Sequence, residues 1–135
     1  MILIWGRYMS ISITNKLEKY ADIALPISLE IPRPKKHVSL ITNRKGAVLA
    51  YGTNQFRTHP LAKQYGYFFD EVHSELDALL KIPKGADRNK LVLINFRFNR
   101  FEDMRMSKPC HLCLPWCRVI FSRIYYSTDN GMKMV

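Results

Sequence analysis

His73-Ser74-Glu75 and, 34 positions beyond that glutamate, Pro109-Cys110-His111-Leu112-Cys113 are the two stretches that decide how this chain is read. One imidazole and two thiols are enough to hold a zinc ion while leaving its fourth position open. An open position marks a catalytic zinc, whereas four protein ligands close a structural one. Glu75 stands two residues from the histidine, where a carboxylate beside a metal can move protons. The spacing of Cys110 and Cys113 lets both sulfurs meet one point if they open a helix, and Pro109 suits such an opening because the first helical N–H groups are unpaired anyway.

Outward from these stretches, the chain alternates helical and extended patterns. Ser12–Asn15 caps a helix in which Leu17, Tyr20, Ala21, Ala24 and Leu25 share one face, and Pro26 is expected to end it. Pro32–Lys36 is a basic linker. His37–Thr42 and Ala47–Gly52 alternate as strands around the turn Asn43–Gly46. Residues 53–68 read as a loop rich in aromatic and basic groups. Val72, Leu76, Leu79 and Leu80 mark a helix expected to begin near Asp70 and to stop before Pro83. Leu91–Ile94 is an apolar strand run, the kind usually covered on both faces. A second helix is expected from Pro109-Cys110, with Pro115 close enough to its start to be tolerated. Ile124–Ser127 and Met132–Val135 are strands joined by the turn Asp129-Asn130-Gly131. Only five residues separate Tyr126 from Met132, too few for the crossover a parallel pair needs, so this last pair is expected to be antiparallel. The order α-β-β-α-β-α-β-β implies an α/β fold: a three-layer α/β/α sandwich around a five-stranded mixed sheet.

Composition narrows the partners. The 135 residues suit one domain, 1–135, with the first eight residues an extension that a start at Met9 would remove. Charge is +10, from 21 Lys and Arg against 11 Asp and Glu, which favours nucleic acid or a nucleotide as partner. No apolar run approaches the length of a membrane helix, and no signal peptide is recognisable, so no membrane partner and a cytoplasmic location are expected. All three cysteines fall within Cys110–Cys117, which points to metal rather than a disulfide framework.

His-x-Glu followed by Pro-Cys-x-x-Cys is the signature of zinc-dependent base deaminases, and at these residues the chain resembles the cytidine deaminase-like superfamily. The order of elements is similar over nearly the whole chain, and its size and basicity resemble small virus-encoded members. The resemblance implies one Zn²⁺ per chain on His73, Cys110 and Cys113. It implies that Glu75 carries protons during hydrolytic loss of the amino group from cytosine or adenine. Zinc lowers the pKa of a water it holds from about 15.7 to roughly 7, which makes hydroxide available near neutrality. An antiparallel last pair is shared with free-cytidine deaminases and many nucleic-acid-editing relatives, and tracts typical of tRNA adenosine and deoxycytidylate deaminases are not visible. Cytosine is favoured on that ground.

Substrate contacts are expected from Asn54, Ser74, Pro109 and Tyr126. Arg57, His59, Tyr67, Arg97, Arg100 and Trp116 are candidate nucleic-acid contacts, because aromatics stack on unpaired bases while cations track phosphates. Phe96 and Phe98 fit the core better. Cys117 reads as a buried apolar residue, His111 as solvent-facing, and His37 as having no role. The leading expectation is a cytosine deaminase acting on single-stranded nucleic acid or a nucleotide. The alternatives are free cytidine or deoxycytidine salvage, adenine deamination in RNA, and a non-catalytic nucleic-acid-binding protein in which Cys117 completes a structural zinc. A monomer and a homo-oligomer are both open.

Overall fold

In the computed structural model, residues 11–54 and 73–135 are described, with side chains of the first helix from Lys16 onward. The elements are α1 (Ile11–Leu29), β1 (Lys36–Thr42), β2 (Val48–Thr53), α2 (Ser74–Leu80), β3 (Val92–Phe98), α3 (Leu114–Ile120), β4 (Arg123–Thr128) and β5 (Gly131–Met134). They form one five-stranded sheet in the order β2-β1-β3-β4-β5. The pairs β1–β2, β1–β3 and β4–β5 are antiparallel, and β3–β4 is parallel with α3 in its crossover.

Strand alternation sends two sets of side chains to opposite faces. Val38, Leu40, Ile94, Phe96 and Tyr125 pack against Leu17, Tyr20, Ala21 and Ala24 of α1. Ile41, Ala50, Leu93 and Ile124 pack against Leu76 and Ala78 of α2 and Trp116 and Cys117 of α3. The result is the expected α/β/α sandwich. Phe96 and Phe98 are core residues, with rings stacked 6.0 Å apart.

Four local expectations are corrected. Pro26 does not end α1, which runs on to Leu29. Pro26 is exposed in the last turns, and the carbonyl it deprives of a partner belongs to exposed Asp22, so water can satisfy it. α2 begins at Ser74 rather than near Asp70, because His73 is its N-cap, with extended φ −68° and ψ 156°. α3 begins at Leu114, with Cys113 as N-cap, and Cys110–Cys113 form the single turn before it. The β4–β5 hairpin turns on Asp129-Asn130 and pairs Thr128 with Gly131, whose φ of 117° suits glycine. No helix among the described residues is long and apolar enough to cross a membrane.

Candidate metal centre and active site

The site is built where α2 and the turn before α3 lie against the β1–β3 face. Asp77 N–H donates to the His73 carbonyl (3.0 Å), which fixes the histidine at the head of α2. The Cys110 carbonyl accepts from both Cys113 N–H (3.0 Å) and Leu114 N–H (2.9 Å), curling Cys-x-x-Cys so that both sulfurs face one way. His73 Nδ1 stands 3.6 Å from Cys110 Sγ and 3.4 Å from Cys113 Sγ. The three ligand atoms lie within 4.8 Å of one another, half-buried except for Cys113, which is fully buried. Tetrahedral zinc with ordinary bond lengths places a nitrogen and a sulfur ligand about 3.6 Å apart. The donor set and its spacing therefore fit zinc, and among the described residues no fourth His, Cys, Asp or Glu joins them. Cys110 is held as thiolate, its pKa lowered to about 3 chiefly by hydrogen bonding from Cys113, then from His73. Cys117 lies buried in the core with its pKa pushed up by burial, as a non-ligand would.

α2 is set against β2 by a glycine. A Cβ on Gly52 would stand 2.2 Å from Ala78 N and 2.4 Å from the Ser74 carbonyl oxygen, so only glycine lets helix and strand approach this closely. Buried Asp77 reaches back to accept from Thr53 N–H (3.0 Å) and also pairs with Lys81 (3.0 Å).

Glu75 is buried, and that burial raises its pKa, opposed by its own backbone N–H, by His73 and by Ser74. Ser74 Oγ donates to Glu75 Oε1 (3.1 Å) and accepts from Ser39 Oγ (2.7 Å), which also stands 2.7 Å from Asn95 Oδ1. Each hydroxyl has one proton, so the row can point towards an ionised Glu75 or, when Glu75 holds a proton, away from it towards Asn95. Asn95 is anchored in turn, donating to the Ser107 carbonyl (3.2 Å). Both protonation states of Glu75 thus find partners in a buried place.

Of the expected contacts, Ser74 is in the site, and Pro109 is buried beside Cys110. Tyr126, half-buried, pairs with Asn95 in the β3–β4 register. Asn54 ties the start of β1 to the end of β2, accepting from His37 N–H (3.1 Å) and donating to the Lys35 carbonyl (3.2 Å). Arg100 lies exposed in a turn, over the Phe101 ring, and Trp116 is buried against Phe121. Arg57, His59 and Tyr67 lie outside the described residues, as do residues 1–10. His111 is exposed, as expected.

Sequence reading missed Ser39 and Asn95 and assigned His37 no role. Strand alternation was the available signal, since His37, Ser39 and Ile41 share one face of β1, as Leu93, Asn95 and Arg97 share one of β3. The pKa of His37 is lowered to about 4 by burial first, then by the charges of Arg97, His73 and Lys35. Arg97 pairs with His37 in the β1–β3 register, and its buried Nε has no hydrogen-bond partner among the described residues. A buried guanidinium nitrogen without a partner suits an anionic ligand.

Sheet order, layers and the convergent histidine and cysteines define a cytidine deaminase-like fold. Among the solved structures similar to it are two of the dCMP deaminase from the cyanophage S-TIM5. The apo form is 19% identical over 87% of this chain and 84% of that one, with a TM-score of 0.50. The complex with dCMP and dUMP is 19% identical over 88% and 83%, with a TM-score of 0.51. No protein-family model matches the chain, and no curated protein matches it in sequence. The deoxycytidylate deaminase tracts missing from the sequence thus do not prevent a shared fold with such an enzyme.

Proposed function

We propose that this protein is a zinc-dependent hydrolytic deaminase that converts cytosine to uracil in a nucleotide, as a single domain holding one zinc per chain. The convergence of His73, Cys110 and Cys113 beside buried Glu75 carries the reading. A zinc ion held by those three residues supplies Lewis acidity, bringing the pKa of water towards neutrality. Glu75 takes a proton from the attacking water and delivers it to the ring nitrogen. The water oxygen bonds to C4; Glu75 then takes the second proton from that new hydroxyl and passes it to the amino nitrogen, so that the C4–N bond breaks, ammonia leaves and the C4 carbonyl forms. A raised carboxyl pKa suits both halves of that task, and the Ser74–Ser39–Asn95 row gives Glu75 partners in either state.

Two observations support a phosphate-bearing substrate. Arg97, opposite His37 in the sheet, has a buried Nε with no hydrogen-bond partner among the described residues, and the fold neighbour's structure is a complex with dCMP and dUMP. Tyr126, Asn54 and Pro109 are the remaining substrate contacts in this reading. The test offers the zinc-loaded protein dCMP, deoxycytidine, cytidine and cytosine-containing single strands, with Arg97→Ala alongside. The reading predicts preference for dCMP over deoxycytidine, lost in Arg97→Ala as a rise in KM. Equal turnover of deoxycytidine and dCMP would overturn the nucleotide assignment.

A further inference from the structure

A second feature lies on the other side of the sheet. Between α1, the β1–β2 turn and the starting ends of β3 and β4 is a cavity of about 290 Å³. Six cations line it: Lys16, Lys19, Arg44, Lys45, Lys90 and Arg123. No carboxylate lines it among the described residues, and none of the six makes an ion pair there. Its floor is made by Tyr20, Val92, Ile94 and Tyr125, which belong to the α1 face. The metal cluster belongs to the α2–α3 face at the opposite end of β1. From His37 to Asn43 is six residues, about 20 Å at the usual strand rise. The cavity is therefore separate from the active site.

The cradle is shaped in advance. Tyr20 Oη donates to the Gly46 carbonyl (2.7 Å), tying α1 to the turn. Asn43 Oδ1 accepts from Lys45 N–H and Ala47 N–H, both at 3.0 Å, which fixes the turn that carries Arg44 and Lys45. Lys90 is held at φ 56°, a conformation a lysine seldom adopts. Six like charges gathered without acids repel one another, and an anion relieves that repulsion.

We propose that this cavity docks the phosphate backbone of single-stranded nucleic acid. The cations are exposed and come from four separate chain segments around the one cavity, so side chains and not a single backbone nest supply the charge. Compact phosphate sites gather backbone N–H groups in a nest or at a glycine-rich loop. Exposed Lys and Arg along a groove are instead the pattern for following a strand. The excess of 21 cations over 11 acids agrees. The proposal does not depend on the deaminase reading, since the cavity lies apart from the metal cluster.

The test is fluorescence anisotropy with a labelled thymine-only 12-mer, which offers the deaminase site no cytosine. With four to six phosphates engaged, the slope of log K against log salt is about −3 to −4, a loss of about 50- to 300-fold between 50 and 200 mM salt. Lys19→Ala/Arg44→Ala should weaken binding at least tenfold at 50 mM salt and make the slope shallower by about 1.4. Its melting temperature should not fall and its dCMP turnover should stay unchanged, and Lys84→Ala/Arg88→Ala should bind as the parent does. Three results would overturn the proposal: no binding of the oligonucleotide, equal binding by the cavity variant, or binding of inorganic tripolyphosphate in preference to the strand.

Discussion

Gly52→Ala tests how the site is assembled, because it adds one methyl group where α2 rests on β2. The new Cβ would stand 2.2 Å from Ala78 N, against 3.4 Å or more for ordinary contact, so the helix must retreat by 3.4 − 2.2 = 1.2 Å or the strand must yield. Backbone atoms on both sides leave no flexible side chain to move aside. Overpacking of this kind costs about 1–3 kcal/mol, which lowers the melting temperature by about 4 °C for each kcal/mol in a domain of this size. The retreat carries Glu75 with it and stretches the bond from Thr53 N–H to Asp77. A displacement of about 1 Å at a reacting group costs on the order of 100-fold in rate. The assay is dCMP turnover and thermal melting, with zinc content measured on the same sample. Gly85→Ala is the control, since nothing lies within 4 Å of its Cβ and only its φ of 83° resists substitution. It should lose some stability and keep its turnover per folded molecule. Full turnover and an unchanged melting temperature in Gly52→Ala would refute the claim that this contact sets the position of Glu75.

Cys113→Ser should lose stoichiometric zinc and melt like the chelated parent, as measured by elemental analysis and calorimetry; retention of one zinc per chain would remove Cys113 from the ligand set. In chelated protein Cys110 should react with iodoacetamide at the same rate at pH 5 and pH 8, being thiolate throughout, while Cys117 stays unmodified until unfolding; a tenfold rise per pH unit at Cys110 would contradict this. His37 has a folded pKa near 4 against an ordinary 6.5, so the unfolded chain takes up its proton first as pH falls. Stability of the chelated protein should therefore decline between pH 6.5 and 4, by at most about 3 kcal/mol, and less in His37→Asn. Urea midpoints at pH 7 and 4.5 decide it, and identical pH dependence in the two proteins would show that His37 is not the cause.

Much of the architecture was legible because burial is periodic. The apolar face of α1, the alternation in β1 and β2 and the unbroken run of β3 each follow from the side a residue must cover. The short step from β4 to β5 left no room for a crossover, so their direction could be read by counting. Element ends were less legible, since tertiary contacts set them. Pro26 is tolerated because α1 is held to the sheet on its far side, and His73 becomes a cap because the chain enters α2 extended.

The three candidate ligands could be found because metal chemistry restricts residue type and spacing together. His37, Ser39 and Asn95 carry no such signature. A serine is common on a strand, and only the register that sets Ser39 opposite both Gly52 and Asn95 places it under Ser74. The cationic cavity was invisible for the same reason: Lys16, Lys45, Lys90 and Arg123 are scattered in sequence, and only the sheet brings them to one rim. Lys35 and Arg44, close in sequence, fall at opposite ends of β1.

The most direct measurement is the conversion of dCMP to dUMP, followed by mass spectrometry, with zinc-loaded protein and Glu75→Ala side by side. The parent protein should yield dUMP and ammonia in equal amounts, and the variant neither. A zinc-loaded, folded parent that yields no uracil from any cytosine substrate, or a Glu75→Ala protein as active as the parent, would contradict the deaminase reading.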